Sequence, residues 1–160
     1  MPIPPEEKNK RYLRQVIVCR KDLFMPTGKV GAMCAHAAMS YILDRLNFKG
    51  RSLLTGDNVP PSFVHTEGIF TENEWQWMTE LDPGLEKEGQ ISMAKIVLAV
   101  DSLSELLEVE KKAEEADLTV CRVTDSGYSH NEFGTLVCIA IGPAFPEELH
   151  PITGHLKLYR

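Results

Sequence analysis

Four short β-branched runs, with a helical segment in each of the first two gaps and none in the third, restrict this chain to few folds. The runs are QVIVCR (15–20), MAKIVLAV (93–100), LTVCRV (118–123) and TLVCIAIG (135–142), each with the length and composition of a buried strand. TGKVGAMCAHAAMSYILDRL (27–46) follows the first run and DSLSELLEVEKKAEEA (101–116) the second, where Ser102 and Glu105 have capping-box spacing. Strand, helix, strand requires a right-handed crossover between parallel strands. The third gap, TDSGYSHNEFG (124–134), is too short for one, so the fourth strand must return antiparallel. The expected fold is therefore α/β: a three-layer α/β/α domain with a mixed four-stranded sheet, three strands parallel and the last antiparallel. PEELHPIT (146–153) predicts a short final helix stopped near Gly154.

At 160 residues the chain is read as one domain, 1–160. Residues 1–14 are polar and proline-rich and predict a flexible tail. Residues 47–92 are long for a connection in a compact domain. They read as an insertion packed on the sheet, a lid or a partner surface, with one short helix near 74–81. No apolar run approaches the roughly 20 residues needed to span a bilayer, and the N-terminus has no signal-peptide core. A cytoplasmic location is expected. Cys19, Cys34, Cys121 and Cys138 stand singly inside apolar stretches, as reduced core residues do.

The formal charge of −6 argues against a nucleic-acid partner until its distribution is considered. Glu67, Glu72, Glu74, Glu80, Asp82, Glu86 and Glu88 against Lys87 account for all of it. Elsewhere the chain is balanced, with Lys8, Lys10, Arg11, Arg14, Arg20 and Lys21 near the first strand and Lys157 and Arg160 in the tail.

Ligands of open α/β sheets bind beyond the carboxyl ends of the parallel strands. The loop after the first strand delivers Gly28 and Lys29 there, and the loop after the third delivers Asp125, Ser129 and His130. A lysine, a carboxylate, a hydroxyl and a helix N-terminus can then converge on an anion or a developing oxyanion. At about 100° per residue, Lys29, Met33, His36 and Ser40 share one helix face within about 60°. Val30, Cys34, Ala37 and Tyr41 form the opposite, core-facing side. A nucleotide-triphosphate loop is excluded, because it would place glycine at position 23 and Ser or Thr at 30, where Leu23 and Val30 stand. His36, flanked by alanines, reads as a histidine that holds the pocket together rather than a proton carrier. It has no second ligand at metal-binding spacing.

RKDLFMPTGKVGAMCAHAAMSY, TDSG and IGPAFPEELHPITGHLKLY together resemble the type 2 peptidyl-tRNA hydrolases, over residues 16–46 and 93–159. The resemblance implies hydrolysis of the ester joining a stalled peptide to the terminal ribose of tRNA, with no metal and no cofactor, in the rescue of translation. It implies catalytic roles for Lys29 as charge stabiliser, Asp125 as the group that orients or deprotonates water, and Ser129 as hydrogen-bond partner. Gly28, Met33, His36, His130 and Arg20 are assigned to the surrounding substrate-binding surface. The implied partner is tRNA, and a homodimer is consistent with the family. The family's pattern has polar residues where Met33, Ala35 and Val137 stand. That raises an alternative expectation, a family-fold protein that binds RNA or a protein partner without turnover.

Overall fold

The computed structural model of the chain describes residues 12–48, 66–82 and 85–160. The predicted N-terminal tail and the middle of the 47–92 insertion thus lie mostly outside the described residues. Strand β1 (Arg14–Arg20) occupies the middle of a sheet, and every residue from Gln15 to Cys19 is buried. Such a run must be covered on both faces, and alternation divides its side chains between two layers. Val16 and Val18 meet Leu106, Val109 and Ala113 of helix α3 (Leu103–Glu115) and Leu149 and Ile152 of helix α4 (Pro146–Thr153). Ile17 and Cys19 face the opposite way, onto Val30, Met33 and Ala37 of helix α1 (Thr27–Arg45).

The α/β class is as expected, but the sheet has five strands rather than four. Its order is β5 (Val120–Thr124), β6 (Leu136–Ala144), β1, β4 (Lys95–Val100) and β7 (Lys157–Leu158). Strand β7 runs antiparallel to β4, pairing Leu98 with Leu158 and Ala99 with Lys157. Two exposed residues at a sheet edge carry no period-2 pattern, which is why the sequence does not announce them. Strands β1, β4 and β5 share a direction, yet only β1 and β4 are parallel neighbours. The antiparallel β6 is inserted between β1 and β5, paired with both.

The connection between α1 and β4 contributes a small antiparallel ribbon, β2 (Leu46–Phe48) with β3 (Thr66–Gly68), and helix α2 (Glu72–Thr79). Helix α2 starts in a capping box: the Thr71 side chain accepts from Glu74 N–H and the Glu74 carboxylate accepts from Thr71 N–H. Glu74 is buried, and it also receives Arg45 at 3.1 Å and the Thr119 hydroxyl at 3.2 Å. Burial pushes its carboxyl up, but Arg45, the Thr71 N–H and Thr119 together outweigh burial and hold it below its ordinary value. This network fixes α2 to the last turn of α1. Among the described residues no helix is long and apolar enough to cross a membrane.

Candidate functional site

Lys29 and Asp125, separated by 96 positions in sequence, meet at the carboxyl edge of the sheet. Helix α1 begins after Pro26, and no side chain caps its first turn. Lys29 projects from that turn while Val30 and Met33 hold the helix to the sheet. Asp125 follows the last residue of β5, and its backbone is fixed on both sides: its N–H donates to Thr135 O and its carbonyl accepts from Gly134 N–H, each at 2.8 Å. The 125–134 loop is therefore a closed turn from which Asp125 and Ser129 reach Lys29 of α1.

Lys29 Nζ lies 2.5 Å from Asp125 Oδ2 and donates to Ser129 Oγ at 2.7 Å. Asp125 Oδ1 accepts from Gly127 N–H at 3.0 Å, and Oδ2 also accepts from Asn131 Nδ2 at 3.0 Å. Three of a carboxylate's roughly four acceptor positions are thus filled. Asp125 is 3% exposed. The Lys29 ammonium first, and then the Gly127 N–H, pull its carboxyl down to about 2, with Asn131 assisting against the opposing effect of burial. At neutral pH the pair is an ammonium held against a carboxylate. Such an arrangement can place positive charge where an oxyanion forms and leave one acceptor position, on Oδ1, for a water molecule.

The other expected site residues divide. His130 reaches across to the first loop, its Nε2 lying 2.7 Å from Leu23 O. It joins the two loops that carry Lys29 and Asp125. Gly28 is exposed, and a methyl group there would meet nothing within 4 Å. It leaves the front of α1 open. His36 is exposed, with its carbonyl accepting from Ser40 Oγ at 2.7 Å. Seven residues along α1 from Lys29, it sits about 10 Å up the helix axis, so its ring is not brought to the pair.

One expectation is corrected. Met33 does not share the outer face with Lys29: it is buried at 9% exposure with Val30, Ala37, Val123 and Val137. The core-facing stripe of α1 is Val30, Met33, Ala37 and Tyr41, whereas Cys34 is only half-buried, its sulfur 3.6 Å from that of Cys19. Arg20 is engaged within the chain. Its Nε and Nη2 donate to both oxygens of Asp22, at 3.1 and 2.7 Å, and its Nη1 donates to Leu136 O at 3.2 Å. That fork anchors the end of β1 to the start of β6.

Basic groups from two ends of the chain do meet. Lys21, His155, Lys157 and Arg160 line one cavity with Asp101 and Glu105. Lys8, Lys10 and Arg11 lie outside the described residues. Helix α2 of the acidic segment lies elsewhere, docked on α1 near Tyr41 and Arg45. Tyr41 is twelve residues, or about 18 Å, along the helix from Lys29. Among the described residues no cluster of three or more His, Cys, Asp or Glu is placed to hold a metal ion.

Residues 13–159 match the family model described as peptidyl-tRNA hydrolase PTH2. A peptidyl-tRNA hydrolase of Sulfurisphaera tokodaii is 37% identical over 91% of this chain and 97% of its own length. One from Nanoarchaeum equitans is 35% identical over 92% and 99%, and one from Saccharolobus islandicus 33% identical over 91% and 98%. With the matched region running from the first buried residue of β1's approach to the last residues after β7, the chain belongs to the PTH2 peptidyl-tRNA hydrolase family.

Proposed function

We propose that this chain hydrolyses the ester between the peptide and the terminal ribose of peptidyl-tRNA, using a water molecule and its own side chains. The observation that carries the reading is the closed contact of Lys29 with both Asp125 and Ser129. A carboxyl held near 2 is a weak base at neutral pH. Asp125 therefore orients the attacking water through its remaining acceptor position and keeps Lys29 in place. The water oxygen bonds to the ester carbon, and the carbonyl oxygen takes up negative charge beside Lys29 Nζ and the uncapped start of α1. Ser129, whose oxygen accepts from Lys29, keeps its own proton to donate. Collapse of the tetrahedral intermediate breaks the bond to the ribose oxygen, which takes the proton lost by the water. The cavity lined by Lys21, Lys157 and Arg160 offers positive charge to the tRNA phosphates.

Binding without turnover is the second reading, and the burial of Met33 and Val137, two of its three motivating residues, weighs against it, while the third, Ala35, is exposed on α1. Met33 and Val137 lie in one apolar cluster. Their lost polarity alters packing beneath the pair, not the groups at its mouth.

The test is release of free tRNA from purified peptidyl-tRNA. Asp125→Asn is expected to lower kcat about a hundredfold while its far-UV circular dichroism matches the wild type. Turnover at the wild-type rate would remove Asp125 from the mechanism, and a folded wild type with no turnover would leave only the binding reading. His130→Ala is expected to lower kcat between about 10- and 100-fold, since small displacements of a reacting constellation are costly. Its thermal stability should change by no more than about 1 kcal/mol, the net worth of one exposed hydrogen bond.

A further inference from the structure

Among the described residues, the three aromatic side chains most open to water all fall in the two loops that frame Lys29 and Asp125. Phe24 is 84% exposed, Tyr128 94% and Phe133 87%. Each is tied to the site by its neighbours. Tyr128 stands between Gly127, whose N–H holds Asp125 Oδ1, and Ser129, whose oxygen accepts from Lys29. The backbone of Phe133 lies against Gly127, where a methyl group would come within 2.8 Å of Phe133 N. Phe24 follows Leu23, the residue to which His130 is bonded, and has a φ of 49°, left-handed backbone that a ring residue seldom adopts. Its exposed ring stands between Leu23 and Met25, which pack into the α1-side core.

Single exposed apolar residues need no explanation, but three large rings grouped around an ionic site do. Leaving them in water forgoes the stabilisation that burying them would bring. Unpaired nucleobases are recognised by stacking on such rings, which tolerate any base because every base has a π-face.

We infer that Phe24, Tyr128 and Phe133 form a stacking platform for the unpaired nucleobase at the 3′ end of the tRNA. The inference rests on the hydrolase reading above. The ester is carried by the ribose of that nucleotide, so its base always stands one sugar away from the carbonyl positioned by Lys29 and Asp125. The peptide offers no such constant group, since its side chains vary and most are not aromatic. An apolar, sequence-tolerant rim suits the constant part of the substrate.

The experiment is a double-mutant cycle between ring and base. Peptidyl-tRNA with an intact 3′-terminal adenine and the same molecule abasic at that nucleotide are assayed with wild type, Tyr128→Leu, and the triple variant Phe24→Leu, Tyr128→Leu, Phe133→Leu. Leucine keeps apolar bulk and removes the π-face. Removing the base is expected to lower kcat/KM of the wild type roughly tenfold, with the triple variant losing a similar factor on the intact substrate. The loss appears chiefly in KM. On the abasic substrate the triple variant should lose little more, so that the two losses do not multiply. Losses that multiply, or a triple variant with wild-type kcat/KM on the intact substrate, would overturn the platform and leave the hydrolase reading standing. Absence of turnover by the wild type on the intact substrate would overturn both.

Discussion

Lys29→Ala is expected to lower the release of tRNA from peptidyl-tRNA about a thousandfold, more than any other single substitution proposed for the site. The ammonium is the group in contact with both Asp125 and Ser129, so its removal deletes the positive charge beside the developing oxyanion and unhooks Asp125 at the same time. The fold should survive, because Val30, Met33 and Ala37 hold α1 to the sheet independently of Lys29. The same variant has a pH signature that separates an electrostatic role from a packing one. Asp125 has its carboxyl depressed in the folded state, to about 2, chiefly by Lys29. A depressed carboxyl stabilises the fold above its unfolded value, near 4, and that contribution is lost as pH falls through the folded value. The stability gap between wild type and Lys29→Ala should therefore be present at pH 7 and close as pH falls from about 4 toward 2, read as denaturant midpoints. A gap independent of pH would assign Lys29 a packing role, and undiminished hydrolysis would remove it from catalysis.

The convergence of Lys29 with Asp125 is legible in the sequence because it follows from topology: two loops at the carboxyl ends of like-directed strands must open on one edge. The hydrophobic runs give β1, β4, β5 and β6 to within a few residues, and PEELHPIT coincides with α4, Pro146–Thr153. Strand order is another matter. That β6 separates β5 from β1 is a long-range pairing with no local signature, and β7 is too short for any period to register. Met33 shows how a helical wheel misleads when a polar residue is made its reference. Centred on Lys29, the outer face takes in Met33, whereas Val30, Met33, Ala37 and Tyr41 follow the i, i+3, i+7, i+11 spacing of one buried stripe. Arg20 could have been recognised from Asp22 two residues on, a local fork that leaves its guanidinium occupied. Phe24 lies inside a motif that carries the family resemblance, and Tyr128 and Phe133 lie just after another, TDSG. They go unnoticed because loop aromatics have no periodicity, and their exposure is known only once the loops are folded.

Trp77→Ala is expected to cost about 3–5 kcal/mol of stability, the range for emptying a buried tryptophan site. Trp75→Ala, two residues away, should stay within about 0.5 kcal/mol. The two cannot share a helix face, and the structure puts them at opposite extremes, 1% and 59% exposed. The Trp77 indole N–H donates to Ala94 O at 3.0 Å, its ring meets Tyr41 edge-on at 5.9 Å, and Lys95 Nζ sits 4.7 Å above it. That single side chain therefore joins α2, the second half of α1 and the entry to β4. The described part of the α1–β4 connection braces the far end of the helix that presents Lys29, about 18 Å from the chemistry. Below its lowered melting temperature, Trp77→Ala should accordingly keep most of its turnover per folded molecule, measured with folded fraction and hydrolysis rate in the same buffer. Equal stability losses from both tryptophans would mean that α2 is held by its backbone and not by this ring. A rate that falls without unfolding would mean that the brace sets the position of Lys29 along the whole length of α1.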